Sequence, residues 1–138
     1  MRIGLYAHSA VGRDLTLQIL QKLGAEVSVL GRRETFVPVD TEAIRPEDRQ
    51  LVSMWTQQYD FDAIVSTDGD SDRPLISDEH GRWLRGDVIG ILCANFLGAD
   101  AVVVPVSCNT ALEKHGAFEA TYRTKIGSPY FIQGMQQA

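Results

Sequence analysis

Cysteine is scarce in this chain, with only Cys93 and Cys108 among 138 residues. Two thiols so far apart suit neither a zinc knuckle nor a redox pair, and they read as buried, reduced thiols of a cytoplasmic protein. Long hydrophobic runs are lacking too. The apolar stretch Ala101 to Val106 is strand-sized and interrupted by Pro105, far short of a membrane span. The N-terminus has no basic, apolar and small-residue succession of an export signal. Positive charge is in deficit, 13 Lys and Arg against 18 Asp and Glu, for a net charge of -5. With no basic run or aromatic-interleaved basic stripe, a general nucleic-acid binder is excluded. Internal repeats and low-complexity segments are also missing. What is present is ordinary for a globular protein, 44% hydrophobic and 22% charged residues. The length suffices for one domain, or for one domain and part of another.

Periodicity places the elements. Arg2 to Ala7 reads as a first strand, and Leu15, Leu17, Ile19, Leu20 and Leu23 give a broad apolar face to a helix from about Asp14 to Leu23. Gly24 stops that helix, and Glu26 to Leu30 reads as a second strand, completing a βαβ unit of the kind that builds parallel sheets. After a charged loop, Pro46 suits the first turn of a helix to Gln58 with Leu51, Val52 and Trp55 on one face. Ala63 to Ser66 is the next strand. A hairpin follows, Pro74–Ser77 and Arg82–Leu84 about a turn at Asp78–Gly81. The pattern then restarts, with a helix from Asp87 to Leu97, a strand from Ala101 to Val106, and a short helix capped by Asn109. A strand at Thr121–Arg123 and a last helix from about Ser128 complete the chain. The expected class is α/β, a mixed, largely parallel sheet with helices on both faces, followed by an incomplete second α/β unit.

Thr67-Asp68-Gly69-Asp70-Ser71-Asp72-Arg73-Pro74 is the stretch that carries chemistry. It leaves the C-terminal end of a predicted strand, where open α/β sheets place their ligands. Three carboxylates at alternate positions repel one another unless a cation neutralises them, and a hard divalent ion with oxygen ligands is the natural occupant. Arg73 suits a phosphate, because its planar fork donates paired hydrogen bonds to phosphate oxygens, or it simply offsets the local negative charge. Asp68, Asp70, Asp72 and Glu79 also match positions 1, 3, 5 and 12 of an EF-hand loop. That reading fails where the sharp turn needs Gly and the chain has Arg73, and where a strand stands in place of the entering helix. His8, in the small-residue loop after the first strand, reads as part of a structural turn, since the loop lacks the P-loop and dinucleotide spacings. No Ser-His-Asp or Cys-His constellation assembles. Arg123-Thr124-Lys125-Ile126-Gly127-Ser128 sets two cations and two hydroxyls before a helix start, a segment able to meet a phosphate or sugar hydroxyls, or else a solvated basic loop.

The aspartate loop closely resembles the metal-binding loop of the α-D-phosphohexomutases, the phosphomannomutase and phosphoglucomutase family, whose loop reads Asp-Gly-Asp-Gly/Ala/Ser-Asp-Arg. Phe36 to Asp40 and the opening strand resemble the family's second domain. Gly81 to Asp87 resembles the exit into its third, and Val106 to Thr110 with Arg123 to Ser128 resemble landmarks of the third domain's first half. The resemblance implies that residues 1–85 are domain two and residues 86–138 the first part of domain three. It implies that Asp68, Asp70 and Asp72 hold Mg²⁺, that Arg73 serves a phosphate, and that Arg123 or Lys125 contacts the substrate and aids proton transfer. It further implies a parent enzyme that moves a phosphoryl group between C1 and C6 of a hexose phosphate through a phosphoserine.

The departures are as informative. The family's Ser-His-Asn-Pro loop, its Gly-Glu-Met-Ser-Gly sugar loop and its Arg-x-Ser-Gly-Thr phosphate loop have no counterpart here. The expectation is a piece of such an enzyme, inactive alone as a mutase, with the remaining domains as partners. A stand-alone metal-binding module is the alternative. An unfinished third-domain sheet would also expose a strand edge and favour self-association.

Overall fold

A computed structural model describes residues 1–138, which divide into two compact units, Met1–Gly86 and Asp87–Ala138. The first is built on four strands, β1 (Arg2–Tyr6), β2 (Glu26–Leu30), β3 (Ala63–Thr67) and β4 (Pro74–Ile76), with helices α1 (Arg13–Lys22) and α2 (Pro46–Gln58). The sheet order is β2-β1-β3-β4. β1 runs parallel to both neighbours, with Tyr6 opposite Leu30 and Leu5 opposite Val65. β4 closes one edge antiparallel to β3. An edge is where a strand beginning at a proline can sit, since Pro74 has no N–H to give a ladder. The predicted hairpin is present, with Leu84 N–H donating to the Ile76 carbonyl at 2.8 Å and Asp78 N–H to that of Arg82 at 3.0 Å. Its first arm also pairs with β3, which local pattern could not reveal.

The core of this unit lies between the sheet and α2. Tyr6, Leu30, Val39, Val52, Trp55, Phe61, Ile64 and Leu75 form one buried cluster, with Leu51 and Trp83 half-buried against it. α2 buries Val52 and Trp55 as its spacing predicts, and also Asp48 on the same stripe. Arg45 donates to both Asp48 carboxylate oxygens at 2.8 and 3.0 Å, and the Tyr6 hydroxyl donates to it at 3.2 Å. A carboxylate thus sits in the core because its oxygens are bonded there. α1 differs from expectation. None of its residues is buried, and Leu15, Ile19 and Leu23 of its apolar face are exposed.

The second unit holds α3 (Gly86–Phe96), β5 (Ala101–Pro105), α4 (Ala111–His115), β6 (Ala120–Thr124) and α5 (Ser128–Gln137). β5 and β6 pair parallel over their whole lengths. α5 lies close on them at Gly134, where an added Cβ would stand 2.7 Å from Val103 Cγ1. Asn109 accepts a hydrogen bond from Ala111 N–H at 2.8 Å, one residue ahead of the helix cap at Thr110. Only Ile91 and Leu112 of this unit's apolar side chains are buried. Cys93 is accordingly exposed and Cys108 only half-buried, both as free thiols, which corrects the expectation of two buried ones. The reason is that α3 is apolar around its girth while the small unit covers one stripe of it. No helix in the chain is long and apolar enough to cross a membrane.

Candidate metal centre

The connection from β1 leads to β2 on one side, and the connection from β2 brings the chain back to β3 on the other. The crevice beyond the C-terminal ends of β1 and β3 is therefore the topological switch point of the sheet, where α/β folds bind ligands. The aspartate loop leaves β3 there, facing the loop that leaves β1.

Asp68 is buried at the base of the loop, and Asp70 and Asp72 are exposed above it. Carboxylate oxygens of all three lie within 4.8 Å of one another. The loop is closed by Asp68 N–H donating to the Arg73 carbonyl at 3.2 Å, and Ser71 N–H to that of Asp68 at 3.3 Å. Ser71 takes a left-handed backbone, φ 68°, which turns the chain between the second and third carboxylates. Arg73 folds back over Asp68. Its N–H donates to Oδ1 at 3.2 Å and its Nε to Oδ2 at 2.7 Å, while Nη1 reaches Glu42 at 3.4 Å.

The electrostatics separate the three carboxylates. Burial alone would raise Asp68, but the Arg73 N–H and guanidinium outweigh it and hold the carboxyl below its usual range. Asp72 moves the other way, pushed up chiefly by the charge of Asp70, then by desolvation and by Asp68. A divalent cation relieves that repulsion. Three carboxylates within reach of one point and no nitrogen or sulfur donor make an oxygen-only set, which fits Mg²⁺ or another hard cation. Glu79, the fourth match to the EF-hand pattern, lies outside the cluster in the hairpin turn beside His80.

The loop after β1 cradles this centre. Val11 N–H donates to the Gly69 carbonyl at 3.0 Å, and Gly12 N–H donates to Ser71 Oγ at 2.9 Å. Thr67 Oγ1 donates to the same Ser71 oxygen at 3.1 Å. An added Cβ on Gly12 would lie 2.8 Å from Ser71 Cβ, so only glycine permits this approach. His8, fully buried, donates from Nε2 to the Thr67 carbonyl at 2.9 Å, while Nδ1 meets no protein partner. Desolvation lowers its pKa from the ordinary 6.5, and the bond to a carbonyl oxygen requires the proton on Nε2. His8 and Gly12 read only as turn residues in the sequence. Their part depends on β1 and β3 being neighbours, which no local signal carries.

Arg123 and Lys125 belong to the second unit. The Arg123 guanidinium donates to both Glu113 carboxylate oxygens at 2.7 and 3.1 Å, and its Nη1 lies 3.0 to 3.3 Å from the carbonyls of Pro105, Val106 and Cys108. It ties β6 to the segment after β5. Lys125 is exposed, its ammonium 5.6 Å from the Tyr130 ring centre.

The comparisons with known proteins fall on this architecture. A family model described as "Phosphoglucomutase/phosphomannomutase, alpha/beta/alpha domain II" matches residues 1–81. The chain belongs to the phosphoglucomutase/phosphomannomutase family. A phosphomannomutase of Salmonella muenchen is 54% identical over 131 residues, which are 95% of this chain and 27% of that protein. A phosphomannomutase of Sinorhizobium fredii is 46% identical over the whole chain and 29% of its own length. A probable phosphoglucosamine mutase of Methanosarcina acetivorans is 26% identical, with 99% of this chain and 32% of its own length covered. The crystal structure of a phosphoglucomutase/phosphomannomutase family protein from Burkholderia thailandensis superposes with a TM-score of 0.78 at 17% identity, over 99% of this chain and 32% of that one, a likeness of fold. The chain thus spans between a quarter and a third of the length of these family members.

Proposed function

We propose that this chain carries the Mg²⁺-binding part of a phosphohexomutase active site. The observation that supports this most is the convergence of the Asp68, Asp70 and Asp72 oxygens within 4.8 Å at the switch point. These three carboxylates would hold the ion, and Arg73, about half exposed, would turn its outer guanidinium edge to a phosphate. Mg²⁺ bound there supplies Lewis-acid neutralisation of charge on a transferring phosphoryl group. The chain's own share is to keep Asp68 ionised through Arg73 and to hold the three oxygens in register. The phosphomannomutase and phosphoglucosamine mutase relatives support a hexose phosphate as the substrate class of the parent enzyme.

Residues 86–138 would be the opening of the next domain of that enzyme. Of its two candidate substrate contacts, Lys125 has donors to spare, whereas Arg123 is committed to Glu113 and three carbonyls. With no Ser-His-Asn-Pro loop in the sequence, the chain alone should not interconvert hexose phosphates. A turnover assay on mannose 1-phosphate with the purified 138-residue chain tests this, and measurable mutase activity would overturn it. Calorimetric titration with Mg²⁺ tests the site itself. The parent chain should bind and Asp70→Asn should bind at least about tenfold more weakly; equal isotherms would remove Asp70 from the site.

The alternative, a metal-binding module with no catalytic role, is favoured by one feature, that all three carboxylates lie within five residues. Mg²⁺ binding without any phosphoryl chemistry, even when the missing parts of a relative are added in trans, would establish it. Exposed apolar side chains of the second unit, with Phe96 88% and Leu97 73% exposed, favour self-association of the isolated chain. Sedimentation that stays monomeric across a hundredfold concentration range would count against that.

A further inference from the structure

We infer that His8 is a positioning residue of the carboxylate centre: through its hydrogen bond to the Thr67 carbonyl it fixes where β3 ends and the aspartate loop begins. The inference rests on the metal-site reading above, but the geometry that carries it is independent of any ion. Backbone pairing between β1 and β3 ends at Leu5 and Val65. Beyond that point side chains continue the ladder. Ser66 Oγ donates to the Tyr6 carbonyl at 2.8 Å, and His8 Nε2 donates to the Thr67 carbonyl at 2.9 Å. The Thr67 carbonyl faces the β1 side, because Ile64 and Asp68, an odd number of residues away, bond Ser77 and Arg73 on the β4 side, and β1 itself ends at Tyr6. The imidazole therefore supplies what the backbone cannot.

The chain turns sharply at His8, whose φ of 24° is rare outside glycine. That turn sends residues 9–12 over the aspartate loop, where Val11 and Gly12 donate to Gly69 and Ser71. One residue thus anchors both sides of the cradle. Its backbone directs the covering loop, and its side chain holds the carbonyl immediately before Asp68. A metal site tolerates little misplacement of its ligands, so loosening Thr67 should loosen Asp68 with it.

Three variants of the full chain separate this role from simple core filling. In His8→Gln the side-chain amide reaches about as far as Nε2 and can still donate. His8→Asn is polar but too short, and His8→Leu keeps bulk without a donor. Binding of Mn²⁺, followed by calorimetry, should weaken at least about tenfold in the Leu and Asn variants, as for other groups that orient metal ligands, and stay near the parent value in the Gln variant. Amide exchange supplies a readout that needs no metal. Protection of the Val11, Gly12 and Arg73 amides should fall in the Leu and Asn variants while Leu5 and Val65 stay protected. If His8→Leu fails to fold, the Asn and Gln pair decides. Unchanged loop exchange in His8→Asn, or loss in His8→Gln equal to that in His8→Asn, would overturn the role. A parent chain that does not bind Mn²⁺ would defeat the metal reading, and exchange alone would then decide for or against His8.

Discussion

At the scale of single residues, two buried polar side chains set the character of the first unit. Asp48 is buried, and Arg45 and the Tyr6 hydroxyl between them bond both its oxygens. Tyr6 registers the cost, its pKa pushed up to about 12 by burial first and by the neighbouring carboxylate second. Breaking a fully buried pair costs about 3 to 5 kcal/mol, but Arg45 can reach solvent, so Asp48→Ala should cost about 2 to 3 kcal/mol. Tyr6→Phe removes one neutral donor and should cost about 1 kcal/mol. Urea unfolding monitored by Trp fluorescence checks the order, and a larger loss from Tyr6→Phe would refute this account of the network.

His8 makes a pH prediction at the same scale. Its folded pKa lies below the ordinary 6.5 because burial disfavours the imidazolium. The unfolded chain then binds the proton more tightly than the folded one. The stability gained by keeping the ring neutral is complete above pH 6.5 and is lost as the pH falls from there through the folded value. Unfolding free energies of the parent and His8→Gln chains, measured from pH 7.5 to 5, should show a steeper acid decline in the parent. Parallel curves would mean that His8 takes up its proton equally readily in both states.

At the scale of elements, the aspartate loop and the β1–α1 loop act as one device, joined at Gly12 and Ser71. A Cβ on Gly12 would collide with Ser71, so Gly12→Ala should displace the loop and weaken Mg²⁺ binding about tenfold. In a Ser71→Gly background the collision is gone, and the same change should cost little. This double-mutant cycle reads the coupling directly, and additive effects would show that the loops are independent. A different balance holds at Gly134 on α5. Alanine is the better helix former by about 1 kcal/mol, but its methyl would press on Val103 and Thr124, and overpacking costs about 1 to 3 kcal/mol. Packing should win, so Gly134→Ala should lower the melting temperature.

Elements of this kind were legible in the sequence to differing depth. α2 begins at Pro46 and ends at Gln58 as predicted, because a proline start and an apolar stripe are local signals. The carboxylate motif was equally plain, since all its members lie within five residues. The pairing of β4 with β3, the burial of Asp48 and the role of His8 were not legible. Asp48 and His8 depend on partners far away in sequence, Tyr6 and Thr67, and a histidine or aspartate carries no local mark of the neighbour it will meet. β4 pairs back across the aspartate loop, whose residues carry no tight-hairpin signal. α1 forms over Arg13–Lys22, close to where its periodicity placed it, but Leu15, Ile19 and Leu23 of its apolar face are exposed here.

At the scale of the whole molecule, the two units differ in how much apolar surface they bury, and that difference should govern how the chain opens. The first unit packs eight buried side chains into one cluster around β1, β3 and α2. The second buries only Ile91 and Leu112, and its two-stranded parallel sheet is half-buried at best. Parallel sheets are normally covered on both faces. Since each buried aliphatic side chain contributes about 1.5 to 3 kcal/mol, the second unit should open by itself well before the first. Native-state hydrogen exchange should therefore find amides of β5 and β6 exchanging at least about tenfold faster than those of β1 and β3, the factor that 1.4 kcal/mol supplies. The measurement is best made at two protein concentrations. Equal protection at both would mean that the units open together as one cooperative body. Protection of β5 and β6 that rises with concentration would instead identify a second copy of the chain as what covers the exposed side chains around Phe96 and Tyr130.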